Sequence, residues 1–217
     1  MRTLCVYCGS SPGDDPAFAE AARTVGTLIG REGWQLVYGG GRAGLMGIVA
    51  DAALAAGAPV VGVIPQSLMV RELGHPGLTE LHGVETMHQR KTLMARELGH
   101  TGLHELHVVE TMHQRKTMMA ERADAFVALP GGIGTFEELF EVWTWRQLGY
   151  HDKPVGLLNV AGYYDPLLAF LDQATGKGFM RAAQHELLQV HTDPRTLLAR
   201  LGVMADGATA PDDYRLI

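Results

Sequence analysis

Cysteine is scarce in this chain, with only two among 217 residues. Two cysteines cannot build a disulfide framework, so we expect a protein of a reducing compartment, the cytoplasm. Cys5 and Cys8 lie three positions apart in a predicted strand, where they would point to opposite faces and share no ligand. Of the ten histidines, seven fall inside one internal repeat and the others are scattered without ligand spacing. The sequence therefore predicts no metal site.

An excess of positive charge and long apolar runs are also missing. The formal net charge is −6, which offers no basic footprint for nucleic acid. No apolar run approaches the roughly 20 residues that a membrane span needs. The segment 1–9 becomes polar too early for a signal peptide and is predicted to be the first strand. Neither nucleic acid nor a membrane is an expected partner.

Apolar segments alternate with amphipathic ones along most of the chain. This alternation predicts one α/β domain, a Rossmann-like, doubly wound parallel sheet with helices on both faces. We place the domain at residues 1–203 and expect a mobile tail at 204–217. Ligands of such sheets bind at the carboxyl ends of the strands, near a topological switch point. Strands are predicted at 3–8, 34–38, 59–64, 105–109, 125–129, 154–159 and 187–190, and helices at 16–32, 43–57, 113–123, 135–149, 163–175 and 194–201.

The stretch Leu129 to Leu139, LPGGIGTFEEL, carries the strongest functional signal. It joins a predicted buried strand to an amphipathic helix through three glycines within four residues. Glycines let backbone N–H groups approach a ligand, and a helix N-terminus adds about half a positive charge. The loop also delivers Glu137 and Glu138 into the first helical turn. A phosphate cradle beside an acid indicates a phosphorylated substrate that is cleaved as well as bound.

Two further loops at predicted strand ends are rich in glycine or serine. One contains Ser10, and the other, with Gly40 and Gly41, forms a G-x-G-x-x-G pattern at 39–44. We take these three residues as candidate substrate-binding positions. A dinucleotide site would need an acidic residue about 20 positions further on, and none follows the strand at 60–64. A nicotinamide or flavin cofactor is therefore not expected.

Residues 71–95 and 96–120 are two copies of one 25-residue segment that differ at four positions. Two copies cannot form a solenoid, so we interpret them as a tandem duplication with one surplus copy. Only the second copy continues directly into the predicted strand at 125–129. The first copy also has Gly83 where the second has Val108, which weakens its strand. The second copy is therefore predicted to occupy the core.

Five motifs occur in order along the chain. They are CGSS at 8–11, LVYGGG at 36–41, GLMG at 44–47, MHQRK at 112–116 and PGGIGTFEE at 130–138. Together they resemble the LOG ("lonely guy") family of cytokinin riboside 5′-monophosphate phosphoribohydrolases, over nearly the whole chain to about residue 200. Relatives are often labelled lysine decarboxylases, but no lysine here is marked as a pyridoxal-phosphate ligand by suitable partners.

The resemblance implies hydrolysis of the N-glycosidic bond of a nucleoside 5′-monophosphate, without a cofactor, to give free base and ribose 5-phosphate. In the family the base is an N6-substituted adenine, and the protein is a homodimer with the site near the subunit boundary. The implied catalytic pair is Arg115 and Glu138. A further substrate-binding glutamate would be Glu97 or its counterpart Glu72 in the first copy. The other implied substrate-binding residues are Lys116, Gly131, Gly132, Ile133, Gly134, Thr135, Phe136, Glu137 and Thr144.

The chemistry of glycosidic cleavage fits these residue types. The transition state resembles an oxocarbenium ion, which a carboxylate stabilises while it orients water. Glu138 suits that role, and Arg115 suits bidentate pairing with a phosphate.

Structural roles remain open for the same residues. Thr135 and Glu138 have the spacing of a capping box, in which the glutamate would only reach back to a backbone N–H. Arg115 and Lys116 would suit a solvated helix face, and Thr144, between two tryptophans, would suit packing. Two other functions also remain open: a nucleotide carrier or sensor without turnover, and a general AMP nucleosidase.

Overall fold

The computed structural model of the protein describes residues 1–65, 104–209 and 212–213. They form one seven-stranded parallel sheet with helices on both faces. The strands are β1 (Thr3–Tyr7), β2 (Gln35–Tyr38), β3 (Val60–Pro65), β4 (Glu105–Val109), β5 (Ala125–Ala128), β6 (Val155–Leu158) and β7 (Leu188–His191). The helices are α1 (Pro16–Arg31), α2 (Gly44–Ala55), α3 (Met112–Arg122), α4 (Ile133–Leu148), α5 (Asp165–Gly176), α6 (Ala182–His185) and α7 (Pro194–Asp206).

The strand order is β4-β3-β2-β1-β5-β6-β7. The chain builds outward from β1 to β4 and then returns to place β5 on the other side of β1. This reversal makes the gap between β1 and β5 the topological switch point, where ligands of doubly wound sheets bind. The predicted α/β architecture is confirmed.

Two apolar cores lie on the two faces of the sheet, and β1 contributes alternately to both. Leu4 and Val6 pack with α1 and α2, whereas Cys5 and Tyr7 pack with α3 and α4. Cys8 belongs to the first core, so the two cysteines face opposite sides, as predicted. Burial raises the pKa of the Cys5 thiol to about 12, so this side chain remains a neutral part of the core.

The second copy of the repeat supplies β4 and α3. The strand β4 pairs with β3 in parallel register, with Val61 opposite Glu105 and Ile64 opposite Val108. The prediction that the second copy occupies the core is confirmed. The first copy, residues 71–95, lies outside the described residues.

Helix boundaries follow local capping signals, with a few departures from the sequence-based prediction. Asp193 caps α7 by accepting a hydrogen bond from Thr196 N at 2.8 Å. This helix continues to Asp206, five residues beyond the predicted end, and Asp212 further on pairs with Lys153 at 2.5 Å. The short helix α6 and the 3-10 turn Val160–Gly162 were not predicted. In the part of the chain that the structure describes, no helix has both the length and the apolar character to cross a bilayer.

Candidate active site

Three loops meet at the switch point, following β1, β2 and β5. Gly9 N donates to Pro130 O at 3.0 Å, and Leu45 N donates to Gly9 O at 3.0 Å. Gly44 has a φ of 58°, and a Cβ there would lie 2.4 Å from the carbonyl carbon of Ser10. Only glycine permits such a conformation and approach, so the loop after β2 packs directly on the loop after β1. Both loops carry predicted substrate-binding residues: Ser10 lies in the loop after β1, and the buried Gly40 and Gly41 lie in the loop after β2.

A buried ion pair lies beneath these loops. Arg115 Nη1 is 2.9 Å from Glu138 Oε1, and Arg115 Nε donates to Val63 O at 3.1 Å. Each of the two charged residues is only 8% exposed. Burial raises the pKa of the Glu138 carboxyl above its ordinary value, while the positive charge of Arg115 opposes that rise. The carboxylate is thus held in a poorly solvated place by one fixed cation.

The elements that carry this pair explain its position. Arg115 lies in the first turn of α3, whose N-cap Thr111 accepts from Gln114 N at 3.1 Å while Gln114 Oε1 accepts from Thr111 N at 3.3 Å. This capping box holds the start of α3 just beyond the end of β4. A Cβ at Gly39, at the end of β2, would lie 2.1 Å from Arg115 Nη2. The guanidinium therefore fills the space that Gly39 leaves empty.

Lys116 joins two other carboxylates of α4. Its Nζ is 2.5 Å from Glu137 Oε1 and 2.9 Å from Glu141 Oε1. Burial alone would lower the pKa of Lys116, but the two carboxylates outweigh it and raise the pKa. Glu141 is not among the residues predicted from the sequence, although its spacing of four from Glu137 is the signal that it shares a helix face with that residue.

The glycine loop after β5 leads into the N-terminus of α4. This helix begins at Ile133, two residues before the predicted start, and its N-cap Gly132 makes no side-chain cap bond. The capping-box interpretation of Thr135 and Glu138 is therefore wrong, because Glu138 is directed to Arg115 instead. Thr135 Oγ1 packs against Gly131, where a Cβ would lie 2.1 Å from it. Gly132, Ile133 and Gly134 are exposed. Their backbone can meet a ligand.

The other structural alternatives are also wrong. Arg115 is buried and Lys116 is half-buried between two carboxylates, so they do not form a solvated face. Thr144 is exposed rather than packed, on the same stripe of α4 as Glu137 and Glu141. Phe136 is half-buried beside the Tyr164 ring, with centroids 6.2 Å apart.

Glu72 and Glu97 lie outside the described residues, so the structure does not place them. Within the described ranges, no group of three or more His, Cys, Asp or Glu side chains is arranged to hold a metal ion.

The fold and this site define a class, the Rossmann-like α/β proteins with a glycine-rich loop and a helix N-terminus at the switch point. A family model described as "Possible lysine decarboxylase" matches residues 46–100 and 92–201. Similar proteins include the cytokinin riboside 5′-monophosphate phosphoribohydrolases LOG3 of Arabidopsis thaliana and LOG of Oryza sativa subsp. japonica. Each is 44% identical over 93% of this chain, covering 82% and 73% of the respective relative. LOG1 of Arabidopsis thaliana is 42% identical over 93% of this chain and 83% of its own length.

Solved structures share the fold at lower sequence identity. A molybdenum cofactor binding protein from Rippkaea orientalis has a TM-score of 0.60 at 20% identity, covering 94% of this chain and 96% of that one. The molybdenum cofactor carrier protein of Chlamydomonas reinhardtii has a TM-score of 0.61 at 18% identity, with 94% and 98% covered. The sequence relatives identify the family: this chain belongs to the LOG family of cytokinin riboside 5′-monophosphate phosphoribohydrolases.

Proposed function

We propose that this protein is a phosphoribohydrolase that acts on cytokinin riboside 5′-monophosphates. It breaks the bond between C1′ of the ribose and the N6-substituted adenine. The oxygen of water is added to C1′, and the products are free base and ribose 5-phosphate. Membership of the LOG family supports this proposal, since relatives covering 93% of the chain carry that activity in their names.

The observation that carries the proposal is the buried pair of Arg115 and Glu138 beside the exposed start of α4. A phosphate at the N-terminus of α4 meets unpaired backbone N–H groups and the positive end of the helix dipole. Glu138 lies one and a half turns further along the same helix. The two parts supply what the reaction needs, an anchor for the phosphate and a carboxylate for the reacting sugar.

Glu138 stabilises the positive charge that develops on the ribose and orients the attacking water. Because Glu138 is poorly solvated, its charge acts more strongly than a carboxylate in water would. The phosphate is remote from C1′, and once anchored it holds the sugar in position. The binding energy of the phosphate therefore contributes to the chemical step at C1′.

Arg115 keeps Glu138 ionised and oriented. Two of its three guanidinium nitrogens already bond to Glu138 and to Val63 O, and the third lies against Gly39. Bidentate pairing of this side chain with phosphate would require the ion pair to open. The phosphate is therefore bound by the backbone N–H groups of the glycine loop at the start of α4, while Lys116 stays paired with Glu137 and Glu141 beside that helix.

We further propose that the protein is a cytoplasmic homodimer that does not bind nucleic acid. Apolar side chains exposed on α4 support the dimer, since Ile133 is 82% and Leu148 57% exposed. Light scattering is expected to give twice the mass of one chain, and a monomer would contradict the dimer. The net charge of −6 argues against nucleic acid.

The test of the function is release of base from isopentenyladenosine monophosphate, followed by chromatography. Glu138→Gln removes the charge at nearly constant shape and is expected to lower kcat/KM by about 10²-fold or more. The matched control Glu121→Gln makes the same change at an exposed position of α3 and is expected to leave the rate unchanged. Equal rates for wild type and Glu138→Gln would contradict the proposed role of Glu138.

The same assay separates the other two functions. A carrier or sensor would bind the nucleotide in calorimetry and release no base. A general AMP nucleosidase would cleave AMP as fast as its N6-prenylated form, whereas the proposed enzyme prefers the prenylated nucleotide.

A further inference from the structure

Four consecutive carbonyl groups of the loop after β5 all accept hydrogen bonds. Leu129 O accepts from Tyr164 Oη at 2.7 Å, and Gly131 O accepts from Tyr163 Oη at 2.6 Å. Between and after them, Pro130 O accepts from Gly9 N at 3.0 Å and Gly132 O from Phe136 N at 3.1 Å. Every peptide plane from residue 129 to 133 is therefore fixed by a partner outside it.

Fixing a carbonyl also fixes the N–H that follows it. In a trans peptide the C=O of one residue and the N–H of the next point in opposite directions. The bond from Tyr163 to Gly131 O thus directs the Gly132 N–H away from Tyr163, and Gly132 itself is exposed. No described residue accepts a hydrogen bond from the N–H of Gly131 or Gly132. Donors held in this way suit an anion.

The turn that carries the two tyrosines is strained. Ala161 has a φ of 50°, the one positive φ of a non-glycine residue in the described ranges. Asn159 holds the turn, because its side chain accepts from Tyr164 N at 2.8 Å and donates to Asp165 Oδ1 at 2.7 Å. Strain of this kind persists where the surrounding structure requires one particular placement of side chains. Here it presents two neighbouring hydroxyls to one loop.

We propose that Tyr163 is a positioning residue for this site: its hydroxyl sets the Gly131–Gly132 peptide so that the Gly132 N–H is aimed at the 5′-phosphate of the substrate. This role rests on the proposed function only for the identity of the ligand. Tyr164 is buried and holds the start of the loop at Leu129 O, whereas Tyr163 is 38% exposed and holds the loop further along, at Gly131 O. Tyr163 acts through the loop backbone.

The test is Tyr163→Phe in the full-length chain, with binding of ribose 5-phosphate and of adenosine measured by calorimetry. The phenylalanine keeps the ring contacts with Phe18 and Tyr164, whose centroids lie 5.5 and 4.9 Å away, and removes only the donor. Affinity for ribose 5-phosphate is expected to fall about 3- to 10-fold, while affinity for adenosine, which lacks the phosphate, is unchanged. Tyr150→Phe is the matched control, because the Tyr150 hydroxyl makes no hydrogen bond with a described residue.

The outcomes separate this inference from the proposed function, since binding is measured without turnover. If wild type binds ribose 5-phosphate but releases no base, the function fails while a weaker Tyr163→Phe complex still supports the positioning role. Unchanged affinity for ribose 5-phosphate in the variant, or an equal loss for both ligands, overturns the positioning role. Failure of wild type to bind ribose 5-phosphate overturns it as well.

Discussion

Replacing Gly39 with alanine should displace the Arg115 side chain without changing its chemistry. The added Cβ would lie 2.1 Å from Arg115 Nη2, whereas an ordinary contact needs about 3.5 Å. The backbone of Gly39 can accept alanine, because its φ is not positive. The guanidinium must therefore retreat by more than about 1 Å, and it is tied to both Val63 O and Glu138. At least one of these bonds must lengthen.

A displacement of about 1 Å in a catalytic group lowers rates by about 10²-fold, so Gly39→Ala is expected to lower kcat/KM for base release by that order. The thermal unfolding midpoint should also fall, since strain on a buried ion pair costs more than alanine gains by restricting the unfolded chain. Gly176→Ala is the matched control, because a Cβ at Gly176 would meet nothing within 4 Å. A Gly39→Ala enzyme within twofold of wild-type kcat/KM would refute the argument that the position of Arg115 limits the rate.

Three further predictions concern charged groups. In Arg115→Met the pKa of Glu138 should rise further, because its burial is no longer opposed by the positive charge, and the acid limb of the kcat/KM profile should move to higher pH. Arg115→Lys keeps the charge and should shift the acid limb less. Acid limbs at the same pH in wild type and Arg115→Met would contradict the pairing. Burial lowers the pKa of His151 to about 4, below its ordinary 6.5, so stability should be full above pH 6.5 and fall by about 2–3 kcal/mol as pH drops toward 4. Denaturant unfolding across that range should show a flatter dependence in His151→Gln, and an unaltered slope would disprove the assignment. Asp212→Asn removes the charge that partners Lys153, whose side chain is only 10% exposed. This change should lower the free energy of unfolding by about 1–3 kcal/mol. An unchanged midpoint of denaturant unfolding would show that this contact contributes nothing to stability.

Much of the fold could be predicted because its signals are local. Apolar segments of strand length mark most strands of the described sheet, and Asp193 before Pro194 marks the start of α7. The start of α4 was misplaced because Thr135 and Glu138 imitate a capping box, and only the ion pair with Arg115 decides against it. The extra length of α7 and the short α6 were missed because no strong stop or start signal marks them.

The candidate site divides in the same way. The glycine loop and the motif around Arg115 are visible in the sequence, because close backbone approach and charge both depend on residue type. That Arg115 and Glu138, 23 positions apart, share one buried contact was not visible, nor was the approach of Gly39 to the guanidinium. Tyr163 gave no signal at all, since its role depends on a strained turn 32 positions from the carbonyl that it holds.

The sequence by itself determined the class of fold, the family and the kinds of group that could meet a phosphate. The fold class follows from the alternation of apolar and amphipathic segments, and the close backbone approach of the loops follows from the absence of a side chain in glycine. The family follows from the resemblance carried by five motifs in order along the chain. Only the tertiary structure decided which charges pair, which carbonyls are held and which N–H groups remain open to a ligand. The physical reason is that hydrogen bonds and ion pairs act over about 3 Å, and the parallel sheet alone brings distant residues of this chain that close.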